Sequence, residues 1–208
     1  MRLIVIDYGM GNLRSVTNAF EAAGCKAIIS TNPTALKTAD GIVLPGVGAF
    51  GDGMKNLQTA GWIDTLEKEV RQHEKPFLGI CLGMQLLAVT GTEHGINNGL
   101  GWIPGIIKRI PIQDNKIKVP HIGWNDVRFV HKDGLYAGLG DSQSFYFVHS
   151  YMFVPENSSI VSGICSHGID FTASIEFDNI FATQFHPEKS HKAGLTVLKN
   201  FLNQLGRV

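Results

Sequence analysis

The chain has 208 residues, of which 44% are apolar and 17% are charged, and 18 basic side chains balance 18 acidic ones. This size predicts a single domain, residues 1–208, with a substantial core. The absence of net charge argues against nucleic acid or a membrane surface as a partner, so we expect a small substrate or a protein partner.

The sequence gives no sign of a leader, a membrane span or a metal site. The apolar run before Asp7 is too short for the core of a signal peptide, and no apolar stretch reaches the ~20 residues of a spanning helix. We therefore expect a cytoplasmic protein. Cys25, Cys81 and Cys165 are odd in number and lack CxxC spacing, which excludes a disulfide framework and a zinc ribbon. We expect no cofactor, and a cysteine with a function should be a nucleophile.

Short strands alternate with helices through the first half of the chain. We predict strands at Leu3–Asp7, Ala27–Ser30, Gly41–Leu44 and Phe77–Ile80, and helices at Leu13–Ala23, Gly53–His73 and Leu82 to about Val89. The strands are continuous apolar runs, as a sheet covered on both faces requires. The alternation predicts an α/β fold with a three-layer, flavodoxin-like, mostly parallel sheet.

The second half is rich in strands separated by turn residues. We predict strands at Trp102–Ile110, Ile117–Val119, Asn125–Val130, Ser144–Val148, Tyr151–Val154, Ile160–Cys165, Ala173–Phe177 and Ile180–Gln184. Such a run indicates antiparallel strands appended to the parallel core. A final helix follows, with Ser190 as its expected cap and leucines at helical spacing.

The segment Gly79-Ile80-Cys81-Leu82-Gly83 has the G-x-nucleophile-x-G form between a predicted strand and a predicted helix. A sharp turn there needs flanking glycines, because a Cβ would clash with neighbouring backbone. The helix N-terminus favours thiolate, and the N–H of Leu82 is free to face an oxyanion. The alternative is that Cys81 is a small buried residue between chance glycines.

His186 and Glu188 follow the last predicted strand. Pro187 disfavours helix at His186, and in an extended segment the side chains at i and i+2 share one side. Glu188 can then orient His186 while the other ring nitrogen serves Cys81, which is the logic of a catalytic triad. Both groups fall at carboxyl ends of strands, where open α/β sheets place their sites.

Two glycine-rich loops also follow strands. In the loop at 44–51, the N–H of Val47 is a candidate second oxyanion donor, and Gly48 is a candidate substrate contact. The loop at 7–12 lacks the dinucleotide fingerprint, because Arg14 occupies the position of its third glycine. No phosphate-binding GxxxxGK[ST] segment is present, so nucleotide binding is not expected.

Together these segments resemble the class I, or triad, glutamine amidotransferases. The resemblance is carried in order by residues 7–13 (DYGMGNL), 44–50 (LPGVGAF), 79–87 (GICLGMQLL), 120–125 (PHIGWN), 146–151 (YFVHSY) and 184–190 (QFHPEKS). It covers nearly the whole chain. It implies Cys81 as nucleophile, His186 as base and then acid, and Glu188 as orienter.

The resemblance implies further roles in binding. Gly48 and Gln85, with Ser150 and Tyr151 as weaker candidates, would hold L-glutamine. The nearest branch of the family delivers ammonia to a (β/α)₈ synthase in histidine biosynthesis, which implies a heterodimer. The positions that face or approach this partner are Asn12, Trp124, Lys189 and Ser190.

Two departures from the family pattern leave the ammonia acceptor open. The stretch 88–95 lacks the expected Ser/Glu-rich turn, and His191 stands where glycine is expected. The second departure, together with the segment 99–105 (GLGWIPG), resembles a paralogous branch that supplies ammonia for amidination of surface-polysaccharide sugars. Alternatives of other classes are a catalytically silent partner-binding subunit and a stand-alone cysteine peptidase or amidase.

Overall fold

A computed structural model describes residues 1–112 and 117–206. The thirteen strands of these ranges are β1 Leu3–Ile6, β2 Ile28–Ser30, β3 Gly41–Gly46, β4 Phe77–Cys81, β5 Ala88–Gly91, β6 Asn97–Asn98, β7 Ile103–Arg109, β8 His121–Phe129, β9 Ser142–His149, β10 Tyr151–Pro155, β11 Val161–His167, β12 Ile169–Phe177 and β13 Ile180–Thr183. The five α-helices are α1 Leu13–Ala22, α2 Phe50–Thr59, α3 Trp62–Leu66, α4 Leu82–Gln85 and α5 His191–Leu202. Short 3₁₀ turns lie at Pro33–Thr38, Gly134–Tyr136, Ser158–Ile160 and Pro187–Lys189, and one π-helical turn at Glu67–Gln72.

Nine strands form a central sheet in the order β2-β1-β3-β4-β13-β12-β11-β8-β9. The first five strands are mutually parallel and follow the flavodoxin-like order, with β13 in the fifth place. The last four strands are antiparallel to their neighbours. The predicted α/β fold, with a parallel core and appended antiparallel strands, is confirmed.

Two separate cores cover the two faces of this sheet, which gives the three predicted layers. Leu3 and Val5 of β1 face one core, where α1 and α5 pack. The alternate residues Ile4 and Ile6 face the other core, which α2, α3 and the second sheet complete. Because β1 is buried on both faces, its sequence is a continuous apolar run rather than an alternating one.

The second sheet has four strands in the order β10-β7-β5-β6, and the sequence did not predict β5 or β6. The helix predicted from Leu82 to about Val89 is wrong beyond Gln85, because Ala88–Gly91 pairs with β7 as a strand. An apolar run of this length suits a buried helix or a buried strand equally well, and here tertiary pairing decides.

The stretch Gly53–His73 is mostly helical, as predicted, and Gly61, whose φ of 73° is left-handed, separates α2 from α3 within it. Two other local predictions were wrong. Residues 117–119 form no strand, and β8 begins at His121 instead of Asn125. Ser190 precedes α5, but its side chain makes no capping hydrogen bond to the helix.

Across the described ranges, no helix is both long and apolar enough to cross a membrane.

Candidate active site

Cys81 lies where β4 ends and α4 begins, in a strained backbone conformation. Its φ is 54° and its ψ is −106°, and only 6% of the residue is exposed. Few non-glycine residues adopt positive φ, and those that do cluster at functional sites. The turn that the G-x-C-x-G pattern predicts is present at this position. Because α4 has only four residues, its dipole contributes less than a longer helix would.

The flanking glycines are required by close backbone contacts. A Cβ at Gly83 would overlap the carbonyl oxygen of Leu44, and a Cβ at Gly79 would lie 2.8 Å from the carbonyl oxygen of Gly83. Gly46 of β3 pairs in register with Cys81, and a Cβ there would overlap the hydroxyl of Tyr8. The strand-to-helix turn can therefore form only with glycines at these positions.

His186 and Glu188 form a buried pair beside the cysteine. The Nδ1 atom of His186 lies 2.7 Å from Oε1 of Glu188, and the two side chains are 3% and 2% exposed. The backbone at His186 is extended, as Pro187 predicts, but Pro187–Lys189 is a 3₁₀ turn rather than a continued strand. Within the described residues, Nε2 of His186 makes no hydrogen bond. That nitrogen is available to a reacting group.

Charge around this pair perturbs the imidazole. Burial alone lowers the pKa of His186, but the neighbouring Cys81 sulfur and then Glu188 outweigh burial and raise the pKa above its ordinary value. Burial, and then Cys81, raise the pKa of Tyr8. Cys81 is one cause of both shifts, as expected if the imidazole and the phenol lie near the sulfur. Strongly perturbed groups around a nucleophile are typical of an active site.

Cys81 opens into a cavity of about 440 Å³ that contains all of the predicted substrate and oxyanion residues. The lining comprises Val47, Gly48, Ala49, Cys81, Leu82, Gln85, Glu93, Pro120, Val148, His149, Ser150 and Tyr151. The loop after β3 forms one wall and the β9–β10 connection forms the opposite wall. The cavity is large enough for a small amino-acid substrate.

A buried chain of hydrogen bonds runs from this cavity wall to the sulfur. Nε2 of Gln85 donates to the carbonyl of Tyr151 at 3.1 Å and to Oε1 of Gln184 at 2.9 Å. Nε2 of Gln184 lies 3.6 Å from Sγ of Cys81. Gln184 belongs to the matching segment 184–190, but the sequence assigned it no role, because nothing in that segment indicates which side chain it contacts.

Two more lining residues were missed. Glu93 comes from the turn between β5 and β6, and its carboxylate accepts the N–H of Phe50 at 2.8 Å. It thus caps α2, whose own N-cap residue, Ala49, has no polar side chain. Nδ1 of His149 donates to the Tyr151 carbonyl at 2.8 Å, and its Nε2 lies 3.0 Å from Nδ1 of His121. Glu93, which lies in the stretch 88–95 that departs from the family pattern, therefore supports the loop of Val47 and Gly48 through the start of α2.

Three side chains form an aromatic patch, in which Trp124 contacts both Tyr146 and His191. The ring of Trp124 is stacked on His191 with centroids 4.8 Å apart and lies edge-on to Tyr146 at 6.1 Å. Trp124 is 47% exposed. Nζ of Lys189 is 5.7 Å from the centre of the Tyr146 ring. Exposed aromatic side chains, tryptophan above all, are enriched at protein interfaces.

The other two predicted interface residues both make hydrogen bonds within the chain, but only Asn12 is exposed. The side chain of Asn12 accepts the N–H of Ser15 at 3.3 Å and caps α1. Ser190 is only 1% exposed; its hydroxyl donates to the carbonyl of His186 at 2.6 Å and accepts the N–H of Tyr146 at 3.0 Å. Ser190 therefore holds the backbone of His186 in place through a hydrogen bond, and its side chain is not available to a partner surface.

Among the described residues, no group of three or more His, Cys, Asp or Glu side chains is arranged to hold a metal ion.

Comparison with known proteins gives a consistent result. The sequence model of the family described as "Glutamine amidotransferase class-I" matches residues 4–205. A relative from Geobacter sulfurreducens named "Imidazole glycerol phosphate synthase subunit HisH" is 45% identical, over 96% of this chain and 97% of its own length. Proteins of the same name from Aquifex aeolicus and Pelagibacter ubique are 48% and 39% identical, over 97% and 98% of this chain and 96% and 100% of theirs.

Solved structures share the fold at lower identity. One described as "Crystal structure of glutamine amidotransferase" has a TM-score of 0.76 at 19% identity, and 98% of each chain is covered. "Structure of PurLQS from Thermotoga maritima" also has a TM-score of 0.76, at 20% identity and with the same coverage.

Proposed function

The chain belongs to the class I glutamine amidotransferase family, and we propose that it is the glutaminase subunit of an imidazole glycerol phosphate synthase in histidine biosynthesis. One observation carries the chemistry: a strained, pocket-facing Cys81 adjoins a buried His186–Glu188 pair. The near full-length match to proteins named HisH supports the pathway. It favours histidine biosynthesis over amidination of a polysaccharide sugar.

The reaction follows from the order of the three side chains. The Cys81 thiol gives its proton to His186, and Sγ attacks the carboxamide carbon of L-glutamine. His186 then passes that proton to the nitrogen as the carbon–nitrogen bond breaks and ammonia leaves. A water molecule then gives up a proton to His186 and attacks the glutamyl thioester, which releases glutamate and restores the thiol. Glu188 holds Nδ1 of His186 and stabilises the imidazolium in both steps. No cofactor is needed.

The cavity provides for the substrate and for the developing oxyanion. We assign the backbone N–H groups of Val47 and Leu82 to the oxyanion, because both residues line the wall at Cys81. Loss of one such donor typically costs about 10²–10³ in rate. Gly48, Gln85, Ser150 and Tyr151 line the rest and would hold the amino-acid part of glutamine.

The partner would be a (β/α)₈ synthase subunit that covers this face and receives ammonia away from bulk water. The aromatic patch and Lys189 provide the docking surface, and Asn12 shapes it by capping α1. The unit would be a heterodimer. This chain would contribute a single glutamine amidotransferase domain, because the family match spans residues 4–205. Alone, such a subunit is expected to turn over glutamine slowly. A biosynthetic pair of this kind is expected in the cytoplasm.

The decisive test is Cys81→Ser, assayed for glutamate release with the partner subunit in excess. We expect loss of at least about 10³ in kcat, because the hydroxyl is a far weaker nucleophile at neutral pH. Cys165→Ala is the matched control, since Cys165 is also buried but lies in β11, away from the cavity. A glutamine-analogue electrophile should label the unchanged chain and Cys165→Ala, but not Cys81→Ser. Full glutamine-dependent activity in Cys81→Ser would exclude Cys81 as the nucleophile, whereas an unchanged chain that neither turns over glutamine nor is labelled would indicate a silent subunit.

A further inference from the structure

The orientation of Gln184 is fixed by the groups around it. The carbonyl of Tyr151 can only accept, so Gln85 must present its NH₂ group there, at 3.1 Å. The second hydrogen of that NH₂ group points to Gln184, which must present its oxygen, at 2.9 Å. The NH₂ group of Gln184 is thereby turned towards Sγ of Cys81, 3.6 Å away. A backbone carbonyl on the cavity wall thus determines which end of Gln184 faces the sulfur.

The surroundings make this contact significant. Gln184 is fully buried and does not line the cavity, so its amide is shielded from solvent although the Cys81 sulfur itself faces the cavity. Among the described residues, Gln184 is the one side chain that donates a hydrogen bond to this sulfur, and Nε2 of His186 makes no hydrogen bond. A donor held against a thiolate favours the charged form and restricts the side chain to one rotamer.

We propose that Gln184 is a further catalytic residue, which holds the Cys81 sulfur in its reactive, pocket-facing position through a donated hydrogen bond. Gln85 and the Tyr151 carbonyl are positioning groups for it. This inference rests on the proposed function of Cys81 as nucleophile. It also limits the part that Gln85 can play in the pocket, because both of its amide hydrogens are committed and only its oxygen remains for a ligand.

The hydrogen bond from Gln184 to the sulfur should contribute to kcat and not to the KM for glutamine. Gln184 does not line the cavity, so Gln184→Glu, which keeps the oxygen that accepts from Gln85, should leave the KM for glutamine within about threefold while kcat falls. Hydrogen bonds to charged groups correspond to factors of about 10–150 in an equilibrium or a rate. We expect a fall in kcat of about 10- to 100-fold for Gln184→Met, which keeps the length of the side chain but removes both the donor to the sulfur and the acceptor for Gln85.

The direct readout is alkylation of Cys81 by iodoacetamide in the isolated full chain, measured from pH 6 to pH 10. The rate for Gln184→Met should be about 10- to 100-fold lower than for the unchanged chain near neutral pH. The two rates should converge at high pH, where ionisation no longer limits the reaction. His186 and Tyr8, the titratable groups next to the sulfur, are the same in both proteins.

Two further variants separate this role from general packing. Gln184→Glu keeps an oxygen for Gln85 but puts a carboxylate where the donor was, and its rate should fall further than that of Gln184→Met. Thr183→Val alters the neighbouring buried residue, whose hydroxyl donates to the carbonyl of Phe185 at 3.0 Å and does not contact the sulfur. Its alkylation profile should match that of the unchanged chain.

Superimposable profiles for the unchanged chain and the two Gln184 variants would overturn the inference. Should Gln184→Met fail to fold by its melting curve, Gln184→Glu decides the question alone. The proposed function fails separately, because it requires that Cys81→Ser abolish turnover whatever the Gln184 variants show. If Cys81→Ser is inactive and the Gln184 profiles are unchanged, Cys81 remains the nucleophile and Gln184 is only a packing residue.

Discussion

Replacing Glu188 by glutamine tests the electrostatic part of the triad without changing its shape. The carboxylate accepts from Nδ1 of His186 at 2.7 Å, and neither side chain is more than 3% exposed. Glutamine preserves volume but removes the charge, and its NH₂ end can turn towards Nδ1. The imidazole would then carry its proton on Nε2, the nitrogen that must accept one.

The structure sets the size of the effect. A buried hydrogen bond to a charged partner stabilises by about 1.5–3 kcal/mol, which is about 10–150-fold in rate. The wrong tautomer adds to this, since the equivalent change in a serine-protease triad lowers kcat by about 10⁴. We therefore expect kcat of Glu188→Gln to fall by about 10²–10⁴, with the KM for glutamine within about threefold, because Glu188 does not line the cavity.

The assay is glutamate release with saturating partner, run beside alkylation of Cys81 in the isolated chain. Glu176→Gln is the matched control, because Glu176 lies in β12, away from the cavity. Burial raises the pKa of Glu176 to about 7, and its carboxylate accepts the N–H of Leu135 at 3.1 Å. We expect kcat of this control within about twofold of the unchanged chain. If Glu188→Gln also keeps its kcat within threefold, Glu188 does not orient His186, and the triad reduces to a Cys–His pair.

Two other predictions concern the surface and the response to acid. Trp124→Ala should weaken binding of the barrel subunit by about 10- to 100-fold in calorimetry, as for a central interface aromatic, while Cys81 alkylation in the isolated chain stays unchanged; an unaltered Kd would remove the aromatic patch from the interface. Burial, and then the neighbouring histidines, lower the pKa of His121 to about 3. Burial also lowers that of His149 to about 4, although its hydrogen bond to the Tyr151 carbonyl opposes the shift. In the unfolded chain both pKa values would be near 6.5, so the unfolded state binds more protons and the free energy of unfolding should fall as pH drops from about 6.5 towards 4. Urea unfolding at pH 7, 6 and 5 should show a weaker pH dependence in His149→Gln, and an equal dependence would contradict neutral burial of this histidine.

The sequence predicted the parallel half of the fold well, because each strand there is buried on both faces and is therefore a continuous apolar run. Residues 3–6 and 77–81 are examples. The elbow was predictable for a local reason, since the glycines at 79 and 83 are required by backbone contacts inside one strand-to-helix turn. The pair of His186 and Glu188 was predictable because only two positions separate them.

The remaining parts depend on contacts between distant segments. Gln184 and Gln85 are 99 positions apart, and neither lies in a pattern that indicates the other. The strand at Ala88–Gly91 exists because β7 pairs with it, so the helical continuation predicted from residue 82 could not be excluded locally. The buried position of Ser190 likewise depends on the N–H of Tyr146 from another strand.

Ser150 is the single residue between β9 of the nine-stranded sheet and β10 of the four-stranded sheet. A connection of one residue limits how far one sheet can rotate relative to the other. Ser150 itself lines the cavity. A residue inserted after Ser150 would lengthen this connection. Both sheets could keep their strand pairing, but the position of the Tyr151 carbonyl on the cavity wall would no longer be fixed. Natural length variation in this protein is thus expected in the turn at 92–96 between β5 and β6, and not at the connection between β9 and β10.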